Sequence, residues 1–256
     1  EMVGRANFSS LTPAYPVERI MLSRGCNSPA FALIDLFIPL AFGQRAVILS
    51  PAHGGKTTLI KEIASGISAG YPQAVVIILQ LCAKPEELTD FKRAFPQAVR
   101  FTTGFCAGVD ENTEVANLAF EHAKRLAELG KDAVILADGL VSACGAETVK
   151  RLFSGVCNTE EGGTVTAVVT LSDSGAEEVV SAANAVITIS EELSAARIYP
   201  AVDVKKSYAY REENLLSKDA LSAANALRSK FSARDIVRLV NDNPDADSIT
   251  ENYKNG

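Results

Sequence analysis

The sequence predicts an α/β domain with a mainly parallel β-sheet that helices cover on both faces. Short apolar runs at 45–49, 74–81 and 133–138 have the composition of strands buried on both faces. Between them lie segments such as 59–67 and 112–129, whose apolar residues recur at helical spacing. Strands that alternate with helices are typical of a parallel sheet, because each crossover needs a helix-length connection.

The remaining elements follow the same alternation. Further strands are predicted at 99–102, 163–171 and 185–189, and further helices at 85–95, 148–153, 215–230 and 232–240. We expect residues 1–40 to be an irregular lead-in segment, 41–205 to be the core, and 206–256 to be a helical extension of the same domain. The polar stretch 245–256 is expected to fray.

Composition narrows the class of protein. The chain has 256 residues, of which 47% are hydrophobic and 22% charged, enough for one large α/β domain or two small ones. The net charge of −6 argues against a generally basic surface for nucleic acid. Because no apolar run reaches the ~18 residues of a membrane span, no membrane partner is expected.

The number and spacing of the cysteines indicate the redox state of the cellular compartment. The five cysteines form no C-x-x-C pair, and only two histidines are present, so a zinc site has few ligands. Free thiols are typical of a reducing cytosol, which predicts a cytoplasmic protein. Because the chain starts at Glu1 rather than Met, we expect it to be a processed or shortened piece of a longer protein.

The segment from Ser50 to Thr57 resembles a phosphate-binding P-loop, G-x-x-x-x-G-K-[ST], with Ser50 in place of the first glycine. It follows a predicted strand and precedes a predicted helix, so backbone N–H groups and a helix N-terminus would face a polyanion. An ordinary strand-to-helix turn that happens to contain Gly55-Lys56-Thr57 is the alternative. The residues expected to bind a nucleotide, ATP or ADP, are Pro51, Ala52, His53, Gly54, Gly55, Lys56, Thr57 and Thr58.

Asp138 is the second candidate of the site, because it ends a buried strand about eighty residues after the loop. An acid in that position would hold Mg²⁺ through water, while the hydroxyl of Thr57 would bind the metal directly. Lys56 and Asp138 are therefore predicted to be catalytic, and Thr57 and Asp138 to be the metal ligands. The alternative for Asp138 is a strand-ending residue that caps the next turn.

Several segments in a fixed order resemble the C-terminal RecA-like ATPase domain of the transcription termination factor Rho. They are Leu11-Thr12-Pro13-Ala14-Tyr15-Pro16, Glu18-Arg19, Phe42-Gly43-Gln44-Arg45, Lys84-Pro85-Glu86-Glu87, Ala123-Lys124-Arg125-Leu126, Glu160-Glu161-Gly162-Gly163, Arg197-Ile198-Tyr199-Pro200-Ala201-Val202-Asp203 and Glu212-Glu213. The resemblance implies a RecA-type P-loop NTPase fold and a hexameric ring of identical copies. It also implies ATP bound between subunits and RNA drawn through the centre.

The resemblance also assigns roles to residues outside the loop. Tyr199 matches the aromatic residue that stacks on the adenine, although a core tyrosine beside Pro200 is an equal alternative. Arg197 matches an arginine of the interface region. The arginine finger falls on Tyr210 in an ungapped match, and Arg211 would take that catalytic place only after a one-residue slip.

The chain departs from the family at catalytic and RNA-binding positions. Ala83 stands where the family has the glutamate that activates the attacking water, and alanine can neither accept a proton nor orient water. His53 replaces an additional lysine of the loop. The stretch from Asp138 to Glu160 lacks the long insert with the RNA-gripping loop, and the region after Asp173 is shortened where a second RNA-contacting loop would lie.

Two functions follow, and the sequence leaves open whether the chain is an enzyme. The first is a ring-forming, Rho-like ATP-binding motor domain with weak hydrolysis and a role in RNA-dependent transcription termination. The second is a degenerate nucleotide-binding module for structure or assembly, without hydrolysis or RNA translocation. A rotary or secretion ATPase subunit would also carry the loop and Asp138, but the segments 84–87 and 197–203 favour Rho.

Overall fold

The computed structural model describes residues 6–172 and 177–254. In chain order, the strands and helices are β1 (Pro13–Ala14), β2 (Arg19–Ile20), α1 (Pro29–Phe37), β3 (Leu40–Ala41), β4 (Arg45–Ser50), α2 (Lys56–Gly70), β5 (Val75–Ala83), α3 (Pro85–Ala94), β6 (Val99–Gly104), α4 (Val109–Ala127), β7 (Ala133–Asp138), α5 (Leu140–Cys144), α6 (Ala146–Phe153), β8 (Asn158–Thr159), β9 (Val165–Ser172), α7 (Glu177–Ala182), β10 (Ala185–Thr188), α8 (Glu191–Ala195), β11 (Tyr208–Ala209), α9 (Lys218–Lys230), α10 (Ala233–Asp242) and α11 (Ala246–Tyr253).

A seven-stranded sheet forms the centre of the molecule, in the order β11-β10-β4-β9-β7-β5-β6. Only β11 pairs antiparallel, with β10, whereas the other neighbours run parallel. Each of the six strands predicted from the sequence coincides with an observed strand to within two residues at either end. The fold class, an α/β domain with a mainly parallel sheet and C-terminal helices, is confirmed.

Helices cover both faces of the sheet. On one face, strand residues such as Ile48 and Ile78 pack against α1, α2 and the C-terminal helices α9, α10 and α11. On the other face, their neighbours Val47 and Ile77 pack against α4 to α7. The alternation of side chains along each strand divides the core into these two layers, and this explains why the strand sequences are continuously apolar.

Helix α1 corrects the prediction that residues 1–40 are irregular throughout. Ser28 caps it by accepting the N–H of Ala30 at 3.3 Å, and Pro29 occupies the first turn, where no N–H is needed. Every residue of α1 after Pro29 is buried. A helix that is covered all round has no polar face, so it lacks the periodicity that identifies surface helices.

The predicted frayed tail is also wrong, because α11 occupies most of it. Asp245 caps this helix by accepting the N–H of Asp247 at 3.1 Å, and Ile249 is buried in the core. The ring of Tyr253 meets Phe231 edge-on with the centroids 6.0 Å apart. A helix with few apolar residues can dock when those residues lie one turn apart on the same face.

Two smaller differences concern helix boundaries. The short helices α5, α7 and α8 were not predicted, and α9 begins at Lys218 rather than Leu215, because Ser217 caps it. Ser232 caps α10, since its side chain accepts the N–H of Asp235. Within the described ranges no helix is both long and apolar enough to cross a bilayer. The domain boundaries at residues 40 and 205 stay predictions.

Asp35 of α1 is a buried carboxylate that ties the lead-in segment to the core. It accepts the N–H groups of Leu22 and Ser23, both at 2.9 Å, and the hydroxyl of Ser23 at 2.6 Å. Burial raises the pKa of Asp35 above its ordinary value, although these hydrogen bonds oppose the shift. The protein interior therefore disfavours the charged carboxylate of Asp35, whereas the three hydrogen-bond donors stabilise it.

We predict that Asp35→Ala lowers the free energy of unfolding by about 3 kcal/mol, because buried N–H groups lose their acceptor. Urea denaturation followed by circular dichroism measures this change. The control is Asp242→Ala at the exposed end of α10, which we expect to change stability by less than about 0.5 kcal/mol. Equal losses in the two variants would contradict the anchoring role of Asp35.

Candidate nucleotide-binding site

A tight loop joins the carboxyl end of β4 to the first turn of α2. Ser50 is the last residue of β4 and pairs with Ser172 of β9, so its backbone is extended and needs no glycine. The N–H of Gly54 donates to the carbonyl oxygen of Pro51 at 3.1 Å, which closes the turn. Gly55 then adopts φ of 98°, a left-handed conformation that strongly favours glycine.

The N-terminus of α2 has the features of an anion site. No side chain caps it, and its first turn contains no acidic residue. The first N–H groups of a helix lack intrahelical acceptors, and the helix dipole adds partial positive charge there. Lys56, the first residue of α2, adds a full positive charge and donates from Nζ to the Ser172 hydroxyl at 3.3 Å. These groups together are suited to hold phosphate oxygens.

Gly54 also lies where a side chain would not fit. A Cβ there would approach Ser50 Oγ to 2.6 Å and Ile189 Cγ2 to 3.1 Å. The glycine therefore permits the loop to pack against the ends of β4 and β10. His53, the preceding residue, has φ of 59° and is exposed.

Thr57 and Asp138 are brought together at the carboxyl ends of the parallel strands. The Thr57 hydroxyl donates to Asp138 Oδ2 at 2.8 Å, and the Thr170 hydroxyl donates to Asp138 Oδ1 at 2.6 Å. In the described part of the chain, no cluster of three or more His, Cys, Asp or Glu residues could hold a metal alone. The pair fits Mg²⁺, which keeps several waters and takes its remaining oxygens from phosphates.

A cavity of about 510 Å³ opens beside the loop. Its wall includes His53, Gly54 and Gly55 from the loop, Thr58 from α2, and Tyr199. Tyr199 is 45% exposed, and its Cε1 lies 3.7 Å from the position of a Cβ at Gly55. Tyr199 thus presents an aromatic surface next to the phosphate loop, as expected for a residue that stacks on a base.

Comparisons with known proteins show which proteins this chain is similar to. The nucleotide-binding domain of the ATP synthase alpha/beta family matches residues 30–149. Transcription termination factor Rho of Akkermansia muciniphila is 34% identical over 259 residues, which cover 90% of this chain and 54% of that protein. Rho of Thermotoga maritima is 35% identical, covering 90% and 60%, and Rho of Bacillus subtilis is 33% identical, covering 89% and 60%.

By its similarity to these relatives over 90% of its length, the chain is a Rho-like domain.

Solved structures agree on the fold. A prototypical ATPase from the type III secretion system of pathogenic bacteria superposes with a TM-score of 0.72 at 18% identity, covering 98% of this chain and 82% of that one. The assembled ATPase EscN of enteropathogenic E. coli gives a TM-score of 0.72 at 19% identity, covering 86% and 60%. The Rho-like domain spans little more than half the length of the Rho proteins that it matches.

Arg211 lies away from the nucleotide cavity of its own chain. It follows β11, whose Ala209 pairs with Ala185 at the amino end of β10, whereas the phosphate loop follows the carboxyl end of β4. Its guanidinium stacks 3.9 Å from the centroid of the Tyr15 ring, beside the exposed Tyr210. Within one copy of the Rho-like domain, neither Arg211 nor Tyr210 can reach Lys56. A role for Arg211 on a neighbouring copy stays a prediction.

The structure also locates the departures from the family. Ala83 ends β5, beyond a register shift between Gln80 and Ala83, and the preceding Cys82 has φ of 52°. A methyl group therefore stands where a water-activating carboxylate is expected. Helices α5 and α6 occupy 140–153, in the stretch where the RNA-gripping insert would lie. The shortened region after Asp173 begins in 173–176, which lies outside the described residues.

The structure adds residues that motif reasoning missed. Ser172 and Thr170 of β9 contact Lys56 and Asp138, and Glu62 of α2 lines the cavity. Asn241 of α10 donates its side-chain N–H to the Tyr199 carbonyl oxygen at 3.0 Å. Glu62 follows Thr58 by four residues and so shares its helix face, a spacing that the sequence displays.

We predict that Gly55→Ala weakens both the fold and ligand binding. An alanine at φ of 98° costs about 1–2 kcal/mol, and relief of this strain would move the loop. We expect Mg-ADP affinity to fall about tenfold, measured by calorimetry.

The matched control for this change is Gly104→Ala. A Cβ there meets nothing within 4 Å, and its φ is not in the left-handed region. If both alanine variants bind Mg-ADP as tightly as the original chain, the conformation of Gly55 is irrelevant to binding.

Proposed function

We propose that this chain binds ATP or ADP with Mg²⁺ at residues 50–57 and acts as a Rho-like nucleotide-binding domain within a ring of identical copies. The observation that carries the proposal is the uncapped N-terminus of α2, with Lys56 as its first residue and the Thr57–Asp138 pair beside it. The loop is held between the central strand β4 and α2, and Asp138 ends the central strand β7.

Each residue has a distinct task in binding. The N–H groups of the loop and of the first α2 turn would donate to phosphate oxygens, and Lys56 would offset their charge. Thr57 would offer a hydroxyl oxygen to Mg²⁺ and Asp138 would bind it through water; bound there, the metal would neutralise charge on the phosphates. Tyr199 would stack on the base.

Hydrolysis is proposed to be slow. Ala83 supplies no general base, and loss of such a base removes about 10²–10⁴ in rate. Arg211 is packed on Tyr15 at the opposite end of the sheet, so a finger would have to come from another copy. The sequence relatives are transcription termination factors, which supports a role in RNA-dependent termination.

A second candidate function is a nucleotide-holding assembly module without turnover. The same two observations favour it, namely the methyl group of Ala83 and the distant Arg211. RNA binding has little support from charge, because the net charge is −6 and Lys205-Lys206 is a short basic segment. Under this alternative, the bound nucleotide stabilises the domain, and the function of the domain is to form the ring.

We predict that Lys56→Ala weakens Mg-ATP and Mg-ADP binding by about 100-fold, because the site loses a charge-assisted contact to phosphate worth about 3 kcal/mol. Calorimetry gives the dissociation constants, and thermal melting gives the loss of nucleotide stabilisation. Lys230→Ala, at the exposed end of α9, is the control and should bind as the original chain does. Equal nucleotide binding by both variants would show that Lys56 of the phosphate loop does not contact the phosphates.

We predict that the chain releases phosphate from Mg-ATP at less than about 0.1 s⁻¹, because a typical enzyme turns over at about 10 s⁻¹ and the general base is missing. A coupled phosphate assay, with Lys56→Ala as the background, measures this rate. Turnover that Lys56→Ala abolishes supports the motor function, and a rate equal to that background supports the assembly module. Turnover above about 1 s⁻¹ would mean that another group replaces the missing glutamate.

A further inference from the structure

Glu62 is a half-buried carboxyl group in the wall of the nucleotide cavity. It lies on α2 one turn after Thr58, and both residues line the cavity that Tyr199 also borders. Over residues 6–172 and 177–254, Glu62 makes no hydrogen bond and no ion pair. Helix geometry places it about 9 Å along the axis from Lys56, away from the phosphate end.

A carboxyl group in this position is costly unless a donor meets it. Burial raises the pKa of Glu62 above its ordinary value, because partial removal from water disfavours the charged form. A desolvated polar group without a partner costs free energy, and a ligand that supplies an N–H recovers it. His53, Thr58 and Asn241 also line this cavity, but none of them donates a hydrogen bond to Glu62, so the missing donor would belong to the occupant of the cavity.

Adenine supplies a donor of the required kind. Its exocyclic amino group, N6–H₂, carries two N–H groups, whereas guanine and hypoxanthine present the O6 acceptor at the same place. An acceptor facing a carboxylate leaves two lone pairs opposed, which acts against the wrong base. A site built to bond an N–H discriminates strongly against an analogue that lacks it.

We propose that Glu62 accepts a hydrogen bond from the adenine amino group and thereby selects adenine nucleotides over inosine and guanine nucleotides. This inference rests on the proposed function, since it requires a nucleotide in the cavity. Tyr199 contributes stacking that any base can provide, and Glu62 contributes the choice of base. Glu62 is a specificity-determining residue and takes no part in phosphate chemistry.

The test is calorimetry with Mg-ATP, Mg-ITP and Mg-GTP on the original chain, Glu62→Met and Glu62→Gln. We expect the original chain to bind ATP at least about tenfold more tightly than ITP or GTP. Glu62→Met should bring the ATP-to-ITP ratio close to one, because ATP loses its hydrogen-bond acceptor and ITP loses the opposing carboxylate. Glu62→Gln should retain ATP binding but lose most of the preference, because its amide accepts from N6–H₂ or, after rotation, donates to O6.

The control is Glu114→Met on an exposed position of α4, which should retain the original preference. Equal affinity for ATP and ITP in the original chain, or an unchanged ratio in a folded Glu62→Met, would overturn the proposal. If Glu62→Met does not fold, the affinities of the original chain for ATP and ITP still test the proposal, because equal values would overturn it. Failure of the proposed function itself is a separate result, in which none of the three nucleotides binds and the inference falls with it.

Discussion

The register of three parallel strands is the constraint on which the site depends. In β4, β9 and β7 the carboxyl ends meet at one edge of the sheet, with Ser50 opposite Ser172 and Ala137 opposite Val169. This alignment places Asp138 within reach of Thr57, and Ser172 within reach of Lys56. A slip of one residue in any strand would turn these side chains to the opposite face of the sheet. Binding geometry and core packing are therefore set by the same backbone pairing.

The sequence predicted the part of the molecule where local and tertiary signals agree. The central strands are continuously apolar, and the glycine, lysine and threonine of the loop follow one of them, so both strand and site could be identified from the residues. Helix α1 could not, because burial on all sides removes its periodicity. Helix α11 was missed because docking of Ile249 and Tyr253 outweighs its polar composition. Glu62 was missed because its significance comes from a cavity wall assembled from distant segments.

The losses relative to Rho are not spread evenly over the domain. The loop proposed to hold the phosphates joins the central strand β4 to α2, and Asp138, proposed to hold the metal, ends the central strand β7. Ala83 and Cys82 lie past the register shift at the end of β5, and Arg211 follows the two-residue edge strand β11. Strand ends and the loops that follow them vary more readily than the elements that they join. Under the proposed function, the fold keeps its ligand site while groups that would accelerate chemistry are replaced.

The hydrogen bond between Asn241 and the carbonyl oxygen of Tyr199 has a consequence for the extent of the working unit. Tyr199 belongs to the connection between α8 and β11, whereas Asn241 belongs to α10, the penultimate helix. The backbone of Tyr199 is therefore held in place by a residue close to the C-terminal end of the described chain. A shorter fragment that stops before α10 would retain every residue of the phosphate loop and still lose this fastening. Under the proposed stacking of Tyr199 on a base, α10 belongs to the binding unit as much as the phosphate loop does.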